Sequence, residues 1–214
     1  MDFLKSIDAR SSCTQCGKSV KFYCYSCVKA LPPLEGKIPR VTLPIHLTIL
    51  KDYRELGGKS TAIHGALLAP TTTSLHEVSI KEPIKCNLSP NSVVLFPSED
   101  SQTIDQFDWS RVDNVIVLDG TWSQASSINK MPELRPFPRI RLANQYQSRF
   151  WRYQHIGEHC LSTIEAIYYF YIEASGLALP ELLFFFEYFY SLIQESYKTS
   201  PTKRRFIHKE NYIK

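Results

Sequence analysis

The sequence predicts an α/β fold with a mostly parallel sheet, preceded by a small metal-binding module. Three observations predict it. Short continuous apolar runs, "SVVLFP" (92–97) and "NVIVLD" (114–119), alternate with helical patterns, as strands buried on both faces do. Two long apolar-periodic segments, "LSTIEAIYYFYIEAS" and "LPELLFFFEYFYSLIQESYK", close the chain as helices. Four of the six cysteines fall at the start, in "CTQCGKSVKFYCYSC". A chain of 214 residues can bury one good-sized core and a small appendage. With 43% hydrophobic and 21% charged residues, long disorder is not expected.

Taken in order, "MDFLKSIDAR" has no apolar core of the kind a secretory signal carries. The cysteines then read as two Cys-x2-Cys pairs, Cys13 with Cys16 and Cys24 with Cys27. Two such pairs offer four thiolates to one tetrahedral zinc, and Gly17 suits the tight turn of a knuckle. Four protein ligands leave no open position, so the metal is expected to be structural. Disulfides are the weaker reading, because nothing marks the chain as secreted. Cys86 and Cys160 are isolated and read as ordinary small residues. "KALPPLEGKIPR" is rich in proline and reads as a linker, dividing a module at 1–38 from a main domain at 39–214.

The main domain opens with a strand in "VTLPIHLTIL" and a helix from about Ser60 to Ala69, in which His64 reads as a packing or hydrogen-bonding residue. "RIRL" (139–142) gives a further strand. Thr121-x-x-Gln124 and Ser162-x-x-Glu165 both fit the capping box. The apolar stretch from Leu177 to Ile193 contains Pro180, Glu181 and Glu187, so it reads as a buried helix and no membrane association is expected. Net charge is +4, but its distribution says more. Arg135, Arg139, Arg141, Arg149 and Arg152 occur without an intervening acid and are interleaved with Phe137, Tyr146, Phe150 and Trp151, the look of a phosphate-and-base surface. The tail adds Lys203, Arg204, Arg205 and Lys209.

The stretch "VIVLDGTWSQA" (115–125) carries the chemistry. In open α/β sheets, ligands bind beyond the carboxyl ends of the strands. Asp119 stands at such an end, Gly120 permits close backbone approach, and the helix starting near Thr121 points its free amides into the same crevice. Capping or turn formation by Asp119 is the structural alternative, and Trp122 serves equally well as a core anchor or a stacking surface.

The stretches "FYCYSC", "GKSTAIHGALLAP", "LFP", "LDGTW", "FWR", "LSTIEAIYYF" and "LLFFF", in this order, resemble the DTW-domain family of tRNA-uridine aminocarboxypropyltransferases, and within it the eukaryotic DTW domain-containing protein 1 branch. The resemblance covers nearly the whole chain. It departs in brevity, since only sixteen residues separate Pro97 from Asn114, where relatives often carry a long charged insertion.

The resemblance implies a SPOUT-like fold, knotted around a pocket for S-adenosylmethionine. It also implies transfer of the 3-amino-3-carboxypropyl group of that co-substrate to N3 of a tRNA uridine, releasing methylthioadenosine. On this reading Asp119 is the general base for the N3 proton. The cofactor pocket is expected from Phe96, Pro97, Leu118, Gly120, Thr121, Trp122, Leu161, Ser162 and Thr163. Ser60 and Thr61 are assigned to the methionine end or the uracil carbonyls. The target base must be unpaired, so Trp151 or Trp122 is expected to stack on it. Arg149 and Arg152 are assigned to phosphate or to the methionine carboxylate, with RNA favoured for Arg149. The partner expected is tRNA, the protein a monomer, and its location the nucleus, with which "KRR" in the tail agrees, with the cytoplasm as a second location. Two other functions fit the residues: a SPOUT-type RNA methyltransferase, and a non-catalytic zinc-ribbon RNA-binding protein.

Overall fold

A computed structural model describes residues 2–151 and 160–199. After a single turn of helix, α1 (Asp2–Lys5), the cysteine segment forms two small antiparallel hairpins, β1 (Ser11–Ser12) with β2 (Ser19–Val20) and β3 (Tyr23–Cys24) with β4 (Lys29–Ala30). Each hairpin carries one Cys-x2-Cys pair, and in each the residue after the second cysteine has positive φ: Gly17 at +71° and Val28 at +50°. Glycine adopts that conformation freely. A β-branched residue does not, so the second knuckle holds Val28 against its preference.

The Pro-rich segment is not the free linker its composition suggests. Leu31, Leu34 and Ile38 are buried, and Leu34 and Ile38 share a core with Phe22 and Tyr23 of the module, Ile63, Leu67 and Leu68 of the first long helix, and Phe185 and Tyr188 of the last. Proline fixes backbone angles without dictating exposure. The overlooked signal was the recurrence of apolar residues at 31, 34 and 38.

The main body follows as β5 (His46–Asp52), α2 (Ala62–Leu68), β6 (Thr73–Val78), β7 (Ser92–Leu95), β8 (Gln102–Thr103), β9 (Asn114–Asp119), α3 (Trp122–Asn129), β10 (Arg139–Arg141), α4 (Thr163–Ser175) and α5 (Phe184–Thr199). The six strands form one sheet in the order β6-β5-β9-β7-β10-β8, with every pairing parallel. All six residues of β9 are buried, as its unbroken apolar run requires. Alternate residues serve opposite faces. Leu47, Ile49, Val93, Val115 and Val117 pack with α4 through Ile164, Ile167 and Phe170. Leu50, Val94, Ile116 and Leu118 pack with α3 through Ala125 and Ile128. At the amino ends of the central strands, Thr48 Oγ1 donates to Asn114 Oδ1, and Asn114 Nδ2 donates to Ser92 Oγ, both at 2.8 Å.

The expected strands at 92–97, 114–119 and 139–142 are present, and α2 lies inside the expected helix. His64 is buried and its Nε2 lies 2.9 Å from the Tyr23 hydroxyl, so it joins module to body as a hydrogen-bonding core residue. Burial alone holds its pKa down, at about 3, so it is neutral at physiological pH. Among the described residues no helix is long and apolar enough to cross a membrane.

Candidate active site

The carboxyl ends of β7, β8, β9 and β10 open on a cleft of about 990 Å³. Asp119 ends β9 and stands in its wall, only 2% exposed. Its two oxygens are held from two other elements. Ser60 Oγ, just before α2, donates to Oδ2 at 2.7 Å, and Thr163 Oγ1, the first residue of α4, donates to Oδ1 at 2.6 Å. The same two elements are joined directly, since the Ile164 amide donates to Thr61 Oγ1 at 3.2 Å. Burial raises the Asp119 pKa above the ordinary carboxyl value, against the hydroxyls and the charge of Lys51, its register neighbour on β5. A carboxylate has about four lone-pair sites, and these two bonds leave room for a further donor.

The backbone beside Asp119 is closely packed and fixed in one conformation. Gly120 has φ of +155°, and a Cβ there would lie 2.9 Å from Gln124 Oε1 and 3.0 Å from Gln124 Cβ. Gln124 is fixed in place by a complete capping box: Thr121 N–H donates to Gln124 Oε1 at 2.6 Å, and Gln124 N–H to Thr121 Oγ1 at 3.3 Å. The second box, Ser162 with Glu165, is also complete. Thus α3 and α4 both begin at the cleft, with amide ends that favour a negative group.

All twelve residues assigned to base, cofactor pocket and Ser/Thr pair line this one cleft: Ser60, Thr61, Phe96, Pro97, Leu118, Asp119, Gly120, Thr121, Trp122, Leu161, Ser162 and Thr163. Trp122 is half-buried, with its ring 6.2 Å from that of Phe96, so it is placed to border a ligand. Trp151 is not part of the lining. Its ring packs at 5.1 Å from Phe150 and 5.4 Å from Phe186. Arg152 lies outside the described residues.

The arginine-rich stretch is largely spent on the protein itself. Arg149 makes a two-pronged pair with Glu187, both contacts at 2.5 Å, and its guanidinium sits 4.6 Å from the centre of the Tyr190 ring. Arg139 bonds Asn129 and the carbonyls of Leu134 and Phe137. Arg141 lines the cleft but donates to the Ser101 carbonyl and, at 3.1 Å, to its hydroxyl. The arginines that resembled a phosphate surface therefore bond groups of the protein itself at these three positions, although Arg141 is also exposed at the cleft. An arginine beside aromatics is compatible with both outcomes, since the guanidinium caps carbonyls and stacks on rings as readily as it binds phosphate.

Sequence reasoning missed the arm that follows β10. Residues 142–146 line the cleft, anchored by Glu173 of α4, which accepts from the amides of Ala143 (2.7 Å) and Asn144 (3.0 Å) and from the Tyr146 hydroxyl (2.9 Å). Glu165 is also more than a cap. Buried at 4% exposure, it accepts from Ser162 N–H (2.8 Å), Ser148 Oγ (2.9 Å) and Arg149 N–H (2.7 Å), tying the 148–149 turn to the start of α4. Glu55 and Lys59 complete the lining on the α2 side.

In the cysteine module, the Sγ atoms of Cys13, Cys16, Cys24 and Cys27 all lie within 4.8 Å of one another. Four thiolates at about 2.3 Å from a tetrahedral zinc stand a little under 4 Å apart, so the donor set fits a single ion with little movement. Backbone N–H groups, that of Cys16 foremost, bring the Cys13 thiol down to about 6, while the neighbouring thiols, Cys16 first, push Cys27 up to about 12. Cys86 and Cys160 stand apart from this cluster.

The family model for the DTW domain matches residues 21–194. Curated relatives named tRNA-uridine aminocarboxypropyltransferase 1 are similar over most of the chain. The mouse protein is 31% identical over 87% of this chain and 78% of its own length, that of Xenopus tropicalis 31% over 89% and 82%, and the human protein 30% over 87% and 78%. The mouse alignment runs over 239 positions, more than the 214 residues here, so that relative carries residues this chain lacks. No solved structure matches.

Proposed function

The chain belongs to the DTW-domain family, and from that premise we propose that it is a transferase that moves the 3-amino-3-carboxypropyl group of S-adenosylmethionine to N3 of a uridine in tRNA. The observation that carries the proposal is Asp119: a buried carboxylate in the wall of a large cleft, fixed by hydroxyls from two other elements.

The cleft suits the co-substrate. Its volume is at the upper end of small-molecule sites. Apolar walls from Phe96, Pro97, Leu118 and Trp122 fit an adenosine, and the capped starts of α3 and α4 fit a carboxylate. Bound there, S-adenosylmethionine supplies a carbon made electrophilic by its sulfonium. The rest falls to the chain. Uracil N3 attacks poorly while protonated, and Asp119 takes that proton. The new N3–carbon bond forms as the carbon–sulfur bond breaks, and its electron pair leaves with neutral methylthioadenosine. The raised pKa makes the carboxylate a stronger base than a solvated one, and Ser60 and Thr163 keep it oriented. Choosing the propyl carbon over the methyl is a matter of positioning by the pocket. The knotted SPOUT-like arrangement, the structural zinc on Cys13, Cys16, Cys24 and Cys27, action as a monomer and a nuclear location belong to the same proposal.

The test is incubation of the purified protein with S-adenosylmethionine and unmodified tRNA, followed by nucleoside mass spectrometry. An aminocarboxypropyl-uridine is expected. A methylated nucleoside would establish the methyltransferase alternative, and failure to bind S-adenosylmethionine in calorimetry the non-catalytic one.

A further inference from the structure

The reaction needs a cationic surface beside the cleft, and three of the arginines expected to supply it, Arg139, Arg141 and Arg149, bond the protein itself. The cysteine module offers one instead. Between residues 9 and 34 there are four cations, Arg10, Lys18, Lys21 and Lys29, and no acid. All four side chains are exposed, and among the described residues none enters an ion pair. A divalent ion on four thiolates leaves a charge of about −2 at the centre of the module, but the outward face remains positive.

An exposed aromatic, Tyr25, shares a groove with two of these cations, Arg10 and Lys21. Among the described residues there are five exposed large apolar side chains: Tyr25, Tyr53, Leu56, Ile80 and Leu177. Three of these lie together in the fold. Tyr25 sits on the knuckle between Cys24 and Cys27, while Tyr53 (50% exposed) and Leu56 (61% exposed) are on the turn after β5. The knuckle rests on that turn. A Cβ at Gly57 would stand 2.6 Å from the Tyr25 Cβ, so only a glycine lets the two approach. The turn then runs directly into the cleft at Lys59, Ser60 and Thr61. On the far side of Tyr25 lies a shallow groove of about 200 Å³, bounded by Arg10, Lys21, Phe22 and Phe189. That is below the usual size of a cofactor site.

We propose that this face of the cysteine module is the RNA-docking surface: the single strand flanking the target uridine runs from the cleft over Leu56, Tyr53 and Tyr25 to the groove at Arg10 and Lys21. The inference rests on the tRNA reading above and adds the surface that would hold the RNA. N3 lies on the pairing edge of uracil, so the strand at the site is unpaired. Unpaired RNA is bound by aromatic and apolar platforms for its bases and cations for its phosphates. The ridge and groove supply both, in continuity with the cleft.

The experiment uses the full chain with Lys21→Glu, whose amine stands 5.4 Å from the centre of the Phe22 ring and bonds no oxygen of the described residues, and Arg10→Ala/Lys21→Glu as the stronger variant. Leu56→Ala tests the ridge. Zinc content and melting temperature verify the fold. Unmodified tRNA binding is titrated at several salt concentrations, and S-adenosylmethionine binding is measured alongside. The double variant is expected to weaken tRNA binding on the order of tenfold near 0.1 M salt and to lower the slope of log affinity against log salt by about two. Leu56→Ala is expected to weaken binding with the slope unchanged. Affinity for S-adenosylmethionine and turnover at saturating tRNA should hold. Variants that bind tRNA as the unaltered protein does, while that protein makes the adduct, would overturn the docking surface and leave the reaction standing. Loss of tRNA binding in the variants, with no adduct from the unaltered protein, would uphold the surface and overturn the reaction. A chain that binds no tRNA even at low salt overturns both.

Discussion

Replacing Asp119 with Asn is close to isosteric, so its effects separate chemistry from structure. The carboxylate accepts one hydroxyl on each oxygen, from Ser60 and Thr163. An amide keeps one acceptor and presents N–H to the other hydroxyl, which can rotate and accept instead. Both contacts therefore survive. The exchange also removes a charge that burial disfavours. Because burial raises the folded pKa above the unfolded value, the folded protein holds the proton over a pH range where the unfolded chain has released it. Asp119 thus subtracts stability as pH rises from the ordinary carboxyl range through its folded pKa. The variant is expected to melt within about 2 °C of the parent, or slightly above it at neutral pH, and to bind S-adenosylmethionine normally. Loss of a general base typically costs about 10²–10⁴ in rate, roughly 2.7–5.5 kcal/mol in barrier. Single-turnover transfer to tRNA, followed by nucleoside mass spectrometry across pH, reads this directly. The parent rate should climb with pH through the raised pKa, and the residual rate of the variant should lack that limb. Turnover within tenfold of the parent, or an unchanged pH limb, would refute the base assignment.

The module and its surroundings give three more expectations. Cys27→Ser should release zinc, read as metal content by plasma mass spectrometry. Because Leu34, Phe22 and Tyr23 share a core with α2 and α5, it should also lower the single main melting transition by at least about 5 °C; a main transition that does not move would show that the module folds apart. Arg149→Ala should leave tRNA affinity within about twofold, while loss of a one-third-exposed ion pair and a ring contact costs about 1–2 kcal/mol; a clear fall in tRNA binding would put this arginine back on the RNA. Gly120→Ala should cost about 2 kcal/mol or more, because the new methyl displaces Gln124 and opens the capping box, seen as a melting temperature about 4–8 °C lower; an unchanged melt would mean the turn relaxes without strain.

What could be read in advance depended on how local the cause was. β9 was legible to the residue, because burial on both faces demands an unbroken apolar run. Both capping boxes were legible, because their partners are three residues apart. Asp119 was legible because strand, glycine and helix start follow one another directly. By contrast, β6 was missed. It lies at the sheet edge, pairs only with β5 and is mostly half-buried, so "TSLHEV" needs no clear alternation. Two-residue β8 leaves no pattern at all. The partners of Asp119 were named as cofactor-pocket and substrate-binding residues, but their closure onto one carboxylate from 59 and 44 residues away was not visible. The bonds of Arg139, Arg141 and Arg149 were not visible for the complementary reason: what they bond is decided by tertiary neighbours such as Asn129, Ser101 and Glu187, none adjacent in sequence.

The rings of Phe3 and Phe184 stack at 6.1 Å, and those of Phe22 and Tyr188 meet edge-on at 5.4 Å. These contacts have a consequence in time. On a ribosome adding about 5–20 residues per second, α5 follows the cysteine module by roughly ten to thirty seconds. Throughout that interval Phe22, Tyr23 and Leu34 lack the Phe185 and Tyr188 rings that cover them in the finished protein. Two hairpins whose strands have two residues each cannot shield such a surface, whereas four nearby thiols can close on a metal as soon as they emerge. A metal bound there would act first as a clasp on the nascent chain, holding a half-made apolar face in order until the final helix arrives.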